Sequence, residues 1–494
     1  MTFLSTTFVF FFVLVFLVYW GLRKRGTKAQ NWFLLFTSYF FYGTWDWKFL
    51  LLFIALSLVN FLAGVGMDRY AIPSRRKMIL VSALILNIGN LFLFKYFNFF
   101  VDEFIALFSL AGIHLTKISL NLIIPVGISF YTFLSISYLV DVYRKTIPAG
   151  KNPVDVLLSL SFFPIILAGP IQRPALLLPQ IAGERKFYYP DMVLGLRQIL
   201  WGLFTKVVIA DNLAPLVDEV FNNPAKTDGA NALLAMLFFT IQIYADFSGY
   251  SDMAIGFGRL LGFQLIRNFN HPYFAGNIRE FWQRWHISLT TWFRDYLFLP
   301  VAYFVSGRIK KEKLLFIPAD VLIYSSGIAV TWSITGLWHG ANGTYLIWGL
   351  IHGAFLILYQ IQKKPRKKIL KSLELSSVNK ALTVFDYVIM MGVVMVAWVY
   401  FRSPSIESAH LFIGKIFSAS VVNFPDLLFG DFFRFILLLF FFTTEWLGRK
   451  GTFTLERLGA AWPKMVRWPF YAGLICLVVL LARAQFSDFL YFQF

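Results

Sequence analysis

FLSTTFVFFFVLVFLVYWGL, residues 3–22, decides the class of the fold. The run carries no charge, and its length matches the about 20 apolar residues that a helix needs to cross a bilayer's hydrocarbon core. No basic region precedes it and no small-residue cleavage site follows, so it reads as a retained span and not a signal peptide. Similar runs recur along the chain: LLFIALSLVNFLAGVG (51–66), LFFTIQIYADFSGYSDMAIGFG (237–258) and FRFILLLFFF (433–442). Composition agrees: the chain is 58% hydrophobic and 14% charged, against about 45–50% and about 25% for soluble domains. The expectation is an all-α, multi-pass membrane protein.

A net charge of +19 would suit a nucleic-acid binder, but its distribution does not. The basic residues stand in short clusters between apolar runs, such as Arg23/Lys24/Arg25/Lys28, Arg75/Arg76/Lys77, Arg308/Lys310/Lys311/Lys313 and Lys363/Lys364/Arg366/Lys367/Lys368. That is the pattern of the positive-inside rule, so the partner is membrane lipid and not nucleic acid. The one cysteine, Cys476, lies in an apolar run, which leaves no internal disulfide framework and no cysteine-rich metal site.

Placing the basic clusters inside gives about a dozen crossings. Spans are expected near 4–20, 31–44, 49–66, 78–96, 121–140, 193–211, within 231–262, and near 320–338, 341–361, 382–402, 431–447 and 468–483. The proline-rich stretch 152–190 reads as re-entrant or as lying at the cytoplasmic face. Residues 211–230, with Asp211, Asp218, Glu219 and Asp228, read as an outside loop, and 264–313 as a cytoplasmic-face amphipathic segment. Both ends then lie outside. Residues 1–494 read as one integral membrane domain with no soluble domain, closed by an aromatic tail at 484–494.

Two histidines are the candidates for chemistry. His339 lies in TWSITGLWHGANGTYLIWGLIHG (331–353), at the junction of two apolar spans. An ionisable residue at membrane depth is expensive and is a candidate functional site. The bland alternative is a ring bonded to a backbone carbonyl. His286 lies in REFWQRWHISLTTWFRDYLFLP (279–300), where positions 282, 285, 289, 293 and 296 repeat at helical spacing. There the alternative is an interfacial helix with a tryptophan belt. No metal-binding spacing joins the two, so no metal is expected. A neutral imidazole in a desolvated funnel suits a general base that deprotonates a hydroxyl attacking an acyl thioester. Trp338, Asn342 and backbone amides near Gly340 are candidate donors to the acyl oxyanion. Asp246 and Asp252, in YADFSGYSDMAIG (244–256), are either paired structural groups or, in a transporter or flippase, a proton relay.

Five stretches in order resemble the membrane-bound O-acyltransferase family: PVGISFYTFLSISYLVDVYR (125–144), LAGPIQRPALLLPQI, YADFSGYSDMAIG, FWQRWHISLTTWFRDYLFLP and GLWHGANGTYLIWGLIHG. The likeness spans about 125–353 and is nearest to the bacterial alginate O-acetyltransferase branch, which also holds peptidoglycan O-acetyltransferases and teichoic-acid D-alanyl transfer proteins. It implies a ring of helices around a central funnel, with His339 and His286 as the catalytic pair. It also implies an acyl group passed from a cytoplasmic donor, acetyl-CoA for the acetyl branch, across the bacterial inner membrane toward a polysaccharide such as alginate. No bound cofactor is expected, and the resemblance implies a separate periplasmic esterase-like partner that completes the transfer. The ending FLYFQF (489–494) resembles the Phe-x-Tyr-x-x-Phe end of a small D-alanylation partner peptide, which makes Tyr491 a candidate acyl relay at the outer mouth near His339.

Overall fold

The computed structural model describes the chain except residues 117, 118, 121, 168, 315, 316, 373–379, 426–431, 483–489 and 491–494. The described residues are predominantly helical, with one short hairpin pairing Lys313–Leu314 with Ile317–Pro318. Nine helices among them are long and apolar enough to cross a membrane. Shorter apolar helices, Ile128–Tyr143 and Pro153–Ile166, add to these. The chain is a multi-pass membrane protein. It resolves into two compact units, one of Met1–Leu200 with Tyr250–Ile266, the other of Trp201–Gly249 with Arg267–Phe494.

In the first unit, local chemistry sets the helix starts. Ser5 caps Thr6–Gly21 by accepting the Phe8 N–H, and Asp46 caps Trp47–Arg69 through the Lys48 N–H at 2.7 Å. Asn60 and Asn87 exchange amide hydrogen bonds at 2.7 and 3.2 Å, joining Trp47–Arg69 to Pro73–Leu91. Such side-chain pairs hold membrane helices together where burial of apolar surface gives no drive. The proline-rich stretch forms short helices, Pro153–Ser161, Phe163–Ile166 and Pro174–Ala182, each with a proline in its first turn. Proline is tolerated there because the first amides have no intrahelical acceptor. Leu158, Phe162 and Ile166 are fully buried, so this broken backbone is covered by protein, which is what a re-entrant segment would require. Arg185 is also buried, donating to the Tyr19 hydroxyl, the Asn31 side chain and the Ile181 carbonyl at 2.6–2.8 Å. Gln172 and Gln180 accept the backbone N–H groups of Ile266 and Gln264. The GPIQRPALLLPQI stretch is thereby a structural brace.

The second unit corrects the expected outside loop. Helix continues through a widened π-turn, Phe204–Ala210, into Asp211–Asn222. An i→i+5 turn brings Lys206 and Asp211 onto one face, where Nζ and Oδ1 lie 2.8 Å apart with both side chains 1% exposed. Asp211 is therefore buried against a cation and not displayed in a loop. The hairpin of Ala319–His339 and Gly343–Ser372 packs tightly through its glycines. A Cβ on Gly336 or Gly349 would collide with the carbonyls of Tyr345 or Trp332. Small residues at such crossings let backbones approach, which accounts for the glycine spacing in 331–353.

Candidate active site

The expected continuous helix over 279–300 is broken. Helices Ile278–Arg284 and Ile287–Phe293 flank an extended Trp285 and a left-handed His286, φ +42°. That conformation costs a non-glycine residue on the order of 1–3 kcal/mol and persists only where the surroundings enforce it. The non-helical segment 268–270 does so. Its Asn268 carbonyl accepts the Ile287 N–H at 2.8 Å, and its Asn270 N–H donates to the Arg284 carbonyl at 2.9 Å. The break satisfies backbone groups that a straight helix would have kept to itself.

Asn268 also sets the protonation pattern of His286. Its side-chain oxygen faces His286 Nδ1 at 2.9 Å, the Ser288 hydroxyl at 2.8 Å and the Ser288 N–H at 3.4 Å. A backbone N–H can only donate, so the shared atom is the amide oxygen, and Nδ1 must donate to it. In the neutral ring Nε2 then carries the lone pair. His286 is 1% exposed, and burial lowers its pKa to about 3 because the charged form loses its hydration. The ring is neutral at physiological pH and presents Nε2 as a base. Phe247 packs edge-on at 4.5 Å and holds its plane.

His339 ends the helix Ala319–His339 and is 4% exposed. Trp338, Trp348 and Phe401 surround it edge-on at 4.8, 4.8 and 5.1 Å. The two histidines, 53 residues apart in sequence, line one cavity of about 450 Å³. Its walls include Trp282 and Trp332, and two exposed cations, Arg279 and Arg294, also line it. A small-molecule site typically measures about 300–1,000 Å³. An apolar cavity with two imidazoles and cationic residues suits proton transfer on a ligand bearing an anionic group.

The other candidates fall elsewhere. Trp338 packs on His339 without lining the cavity. Asn342 is engaged in local structure, its amide donating to the Pro404 carbonyl and its oxygen capping the Thr344 N–H. Asp246 lies 2.5 Å from Lys206 Nζ, and its other oxygen accepts the Leu490 N–H at 3.0 Å. Asp252, in the first unit, accepts from the Gln198 amide. Tyr491 lies outside the described residues. Glu280 and Arg284 form an i,i+4 ion pair at 2.5 Å. Among the described residues no group of three His, Cys, Asp or Glu side chains could hold a metal ion. Periodicity gave no sign of Asn268, which acts from a stretch with no repeat.

Residues 150–401 match the membrane-bound O-acyltransferase family. The chain is 36% identical over 431 residues to a probable alginate O-acetylase of Pseudomonas aeruginosa, covering 86% of this chain and 77% of that one. It is 33% identical to a peptidoglycan O-acetyltransferase of Helicobacter pylori, over 81% and 77% of the two chains. It is 32% identical to a teichoic acid D-alanyltransferase of Bacillus subtilis, over 50% and 62%.

Proposed function

The chain belongs to the membrane-bound O-acyltransferase family and is an acyltransferase, and from that premise we propose that it moves an acetyl group from cytoplasmic acetyl-CoA across the bacterial inner membrane for O-acetylation of an extracytoplasmic polysaccharide, alginate foremost. The observation that carries the reading is the shared cavity of His286 and His339. His339 takes the proton of the attacking hydroxyl, the hydroxyl oxygen bonds to the thioester carbonyl carbon, and the C–S bond breaks. The imidazolium then returns its proton to the thiolate. His286, neutral and with its lone pair on Nε2, serves as the supporting acceptor. Such base catalysis is worth about 10²–10⁴-fold.

Tyr491 is the proposed first acceptor, and a periplasmic esterase-like enzyme takes the acetyl group from its ester. The tail ends outside in this reading. The Leu490 bond to Asp246 supports a tail that docks within the second unit. The test uses purified protein in liposomes with acetyl-CoA, following thiol release and the mass of the C-terminal peptide. Wild type should consume the thioester and gain an acetyl mass on the peptide, and His339→Ala should lose both. Thioester consumption untouched by His339→Ala removes the reading. Tyr491→Phe should abolish polymer acetylation with insertion intact, and normal acetylation by it removes the relay alone. Esters recovered from cell polymers separate acetate on alginate from acetate on peptidoglycan and from D-alanine.

A further inference from the structure

Thr331 stands on the helix Ala319–His339 and lines the reaction cavity. It is 7% exposed, and its Oγ1 has no hydrogen-bond partner among the described residues. A buried threonine inside a helix can satisfy its hydroxyl on the carbonyl one turn back. Thr335 does so, donating to the Thr331 carbonyl at 2.7 Å. Thr331 does not, and its short side chain keeps the hydroxyl close to the cavity wall. A buried hydroxyl with its hydrogen bonds unmade is costly, and a ligand in the cavity is what relieves it.

Thr335 lines the same cavity. Its hydrogen is committed to Thr331, but its oxygen keeps a lone pair with which to accept. Thr331, Thr335 and His339 follow at four-residue steps and share one helix face. At 1.5 Å of rise per residue, Thr335 and Thr331 stand about 6 and about 12 Å from His339 along the axis. A ligand whose reacting carbon lies at His339 therefore passes polar groups at two set distances.

An acetyl donor of the CoA type carries two amides at matching places. Four bonds separate the thioester carbonyl carbon from the first amide nitrogen, and eight separate it from the second. An extended chain advances about 1.1–1.2 Å per bond, so the nitrogens lie about 5 and about 10 Å from the reacting carbon. We propose that Thr335 and Thr331 read the two amides of the pantetheine arm, Thr335 accepting the N–H nearer the sulfur and Thr331 bonding the amide beyond it. The inference rests on the acyl-thioester reading above and names what distinguishes the donor from a simple thioester. The two hydroxyls set where the arm stops, and no bond at either threonine forms or breaks.

The test is a truncation series of acetyl donors on the full chain in detergent, read as kcat/KM for thiol release. S-acetyl-pantetheine has both amides, S-acetyl-N-acetylcysteamine has the first alone, and S-ethyl thioacetate has neither. Thr331→Val and Thr335→Val remove a hydroxyl at nearly constant shape, and Thr331→Ser keeps it. In Thr331→Val the preference for the two-amide donor over the one-amide donor should fall about five-fold, the worth of one hydrogen bond. Thr331→Ser should hold that preference. In Thr335→Val the preference for the one-amide donor over S-ethyl thioacetate should fall by a similar factor. Each preference is a ratio measured on one preparation, so a loss of folded protein cancels from it. A two-amide preference that Thr331→Val leaves unchanged, or that Thr331→Ser loses equally, overturns the proposal. A wild type that cleaves all three donors with equal kcat/KM overturns it alone. A wild type that cleaves neither these donors nor acetyl-CoA overturns the acyl-thioester reading with it. Carrier proteins present the same arm, so acetyl-CoA is also compared with an acetylated acyl carrier protein. Faster cleavage of acetyl-CoA is expected, and faster cleavage of the carrier-bound thioester overturns CoA as the source of the arm.

Discussion

Replacing Asn268 should disable His286 without touching the cavity. Three donors share the Asn268 oxygen, but they do not weigh equally. The Ser288 hydroxyl can turn to another acceptor, and the Ser288 N–H is long at 3.4 Å. The His286 Nδ1–H bond, 2.9 Å and buried, is the one that fixes the ring. A buried hydrogen bond of this kind contributes roughly 1–2 kcal/mol. At 1.36 kcal/mol per factor of ten, Asn268→Ala should lower kcat by about 5- to 30-fold. KM should change less, because Asn268 does not line the cavity. Asn268→Asp separates orientation from charge. A carboxylate still accepts from all three donors, so the ring keeps its place, but its negative charge favours imidazolium and raises the His286 pKa from about 3. A protonated ring is no base, so the acid limb of the rate profile should move to higher pH. The assay is acetyl-CoA thiol release by liposome-reconstituted protein between pH 5 and 8, with unfolding followed in parallel. Asn268→Ala within two-fold of wild type, together with an unmoved profile for Asn268→Asp, refutes the assignment of the His286 hydrogen.

Two further predictions concern the second unit's framework. Lys206 lies 2.8 Å from Asp211 and 2.5 Å from Asp246, with all three side chains no more than 2% exposed. Lys206→Met strands two buried carboxylates and should cost roughly 3–5 kcal/mol, read as a lower unfolding temperature in detergent. Adding Asp211→Asn and Asp246→Asn should recover much of it, and a single variant as stable as wild type contradicts the pairing. In the hairpin, Gly349→Val drives a side chain into the Trp332 carbonyl and should reduce folded yield, whereas Gly392→Ala meets nothing within 4 Å and should stabilise by up to ~1 kcal/mol. Equal yields for the two variants would contradict the close crossing.

What the sequence disclosed follows from what periodicity and charge encode. The apolar runs gave the spans, because lipid requires long apolar helices. His339 was legible because a polar ring between two such runs has few bland explanations. Placement of His286 was legible only in part. Its neighbours repeat at helical spacing on each short helix, but the break comes from segment 268–270, and no local pattern records a distant hydrogen bond. Asp211 was misplaced for a related reason. Four acids in a row of 20 residues resemble a loop until one of them meets a lysine across a π-turn.

The region around the site repeats one device. Among the described residues three non-glycine positions have positive φ, and two of them are His271 and His286. In each, a left-handed backbone turns the imidazole so that Nδ1 meets a side-chain oxygen: Glu445 at 2.7 Å for His271, Asn268 at 2.9 Å for His286. Glu445 is buried in an apolar helix, Phe432–Gly448, where a carboxylate is tolerable only when fully engaged. It accepts from His271, from the Tyr244 hydroxyl at 2.6 Å and from Thr454. Those donors come from three separate stretches, so the acid ties them to one point. Segment 268–270 leads directly into His271, and its Asn268 in turn fixes His286. The strain at the site histidine is thus held at both ends of a short connection. One end is a buried carboxylate that has no reason to move, and the other is an amide whose oxygen has three claims on it. The geometry of the proposed active-site histidine is kept in place by polar groups that do not themselves line the cavity, and their burial is what makes the hold strong.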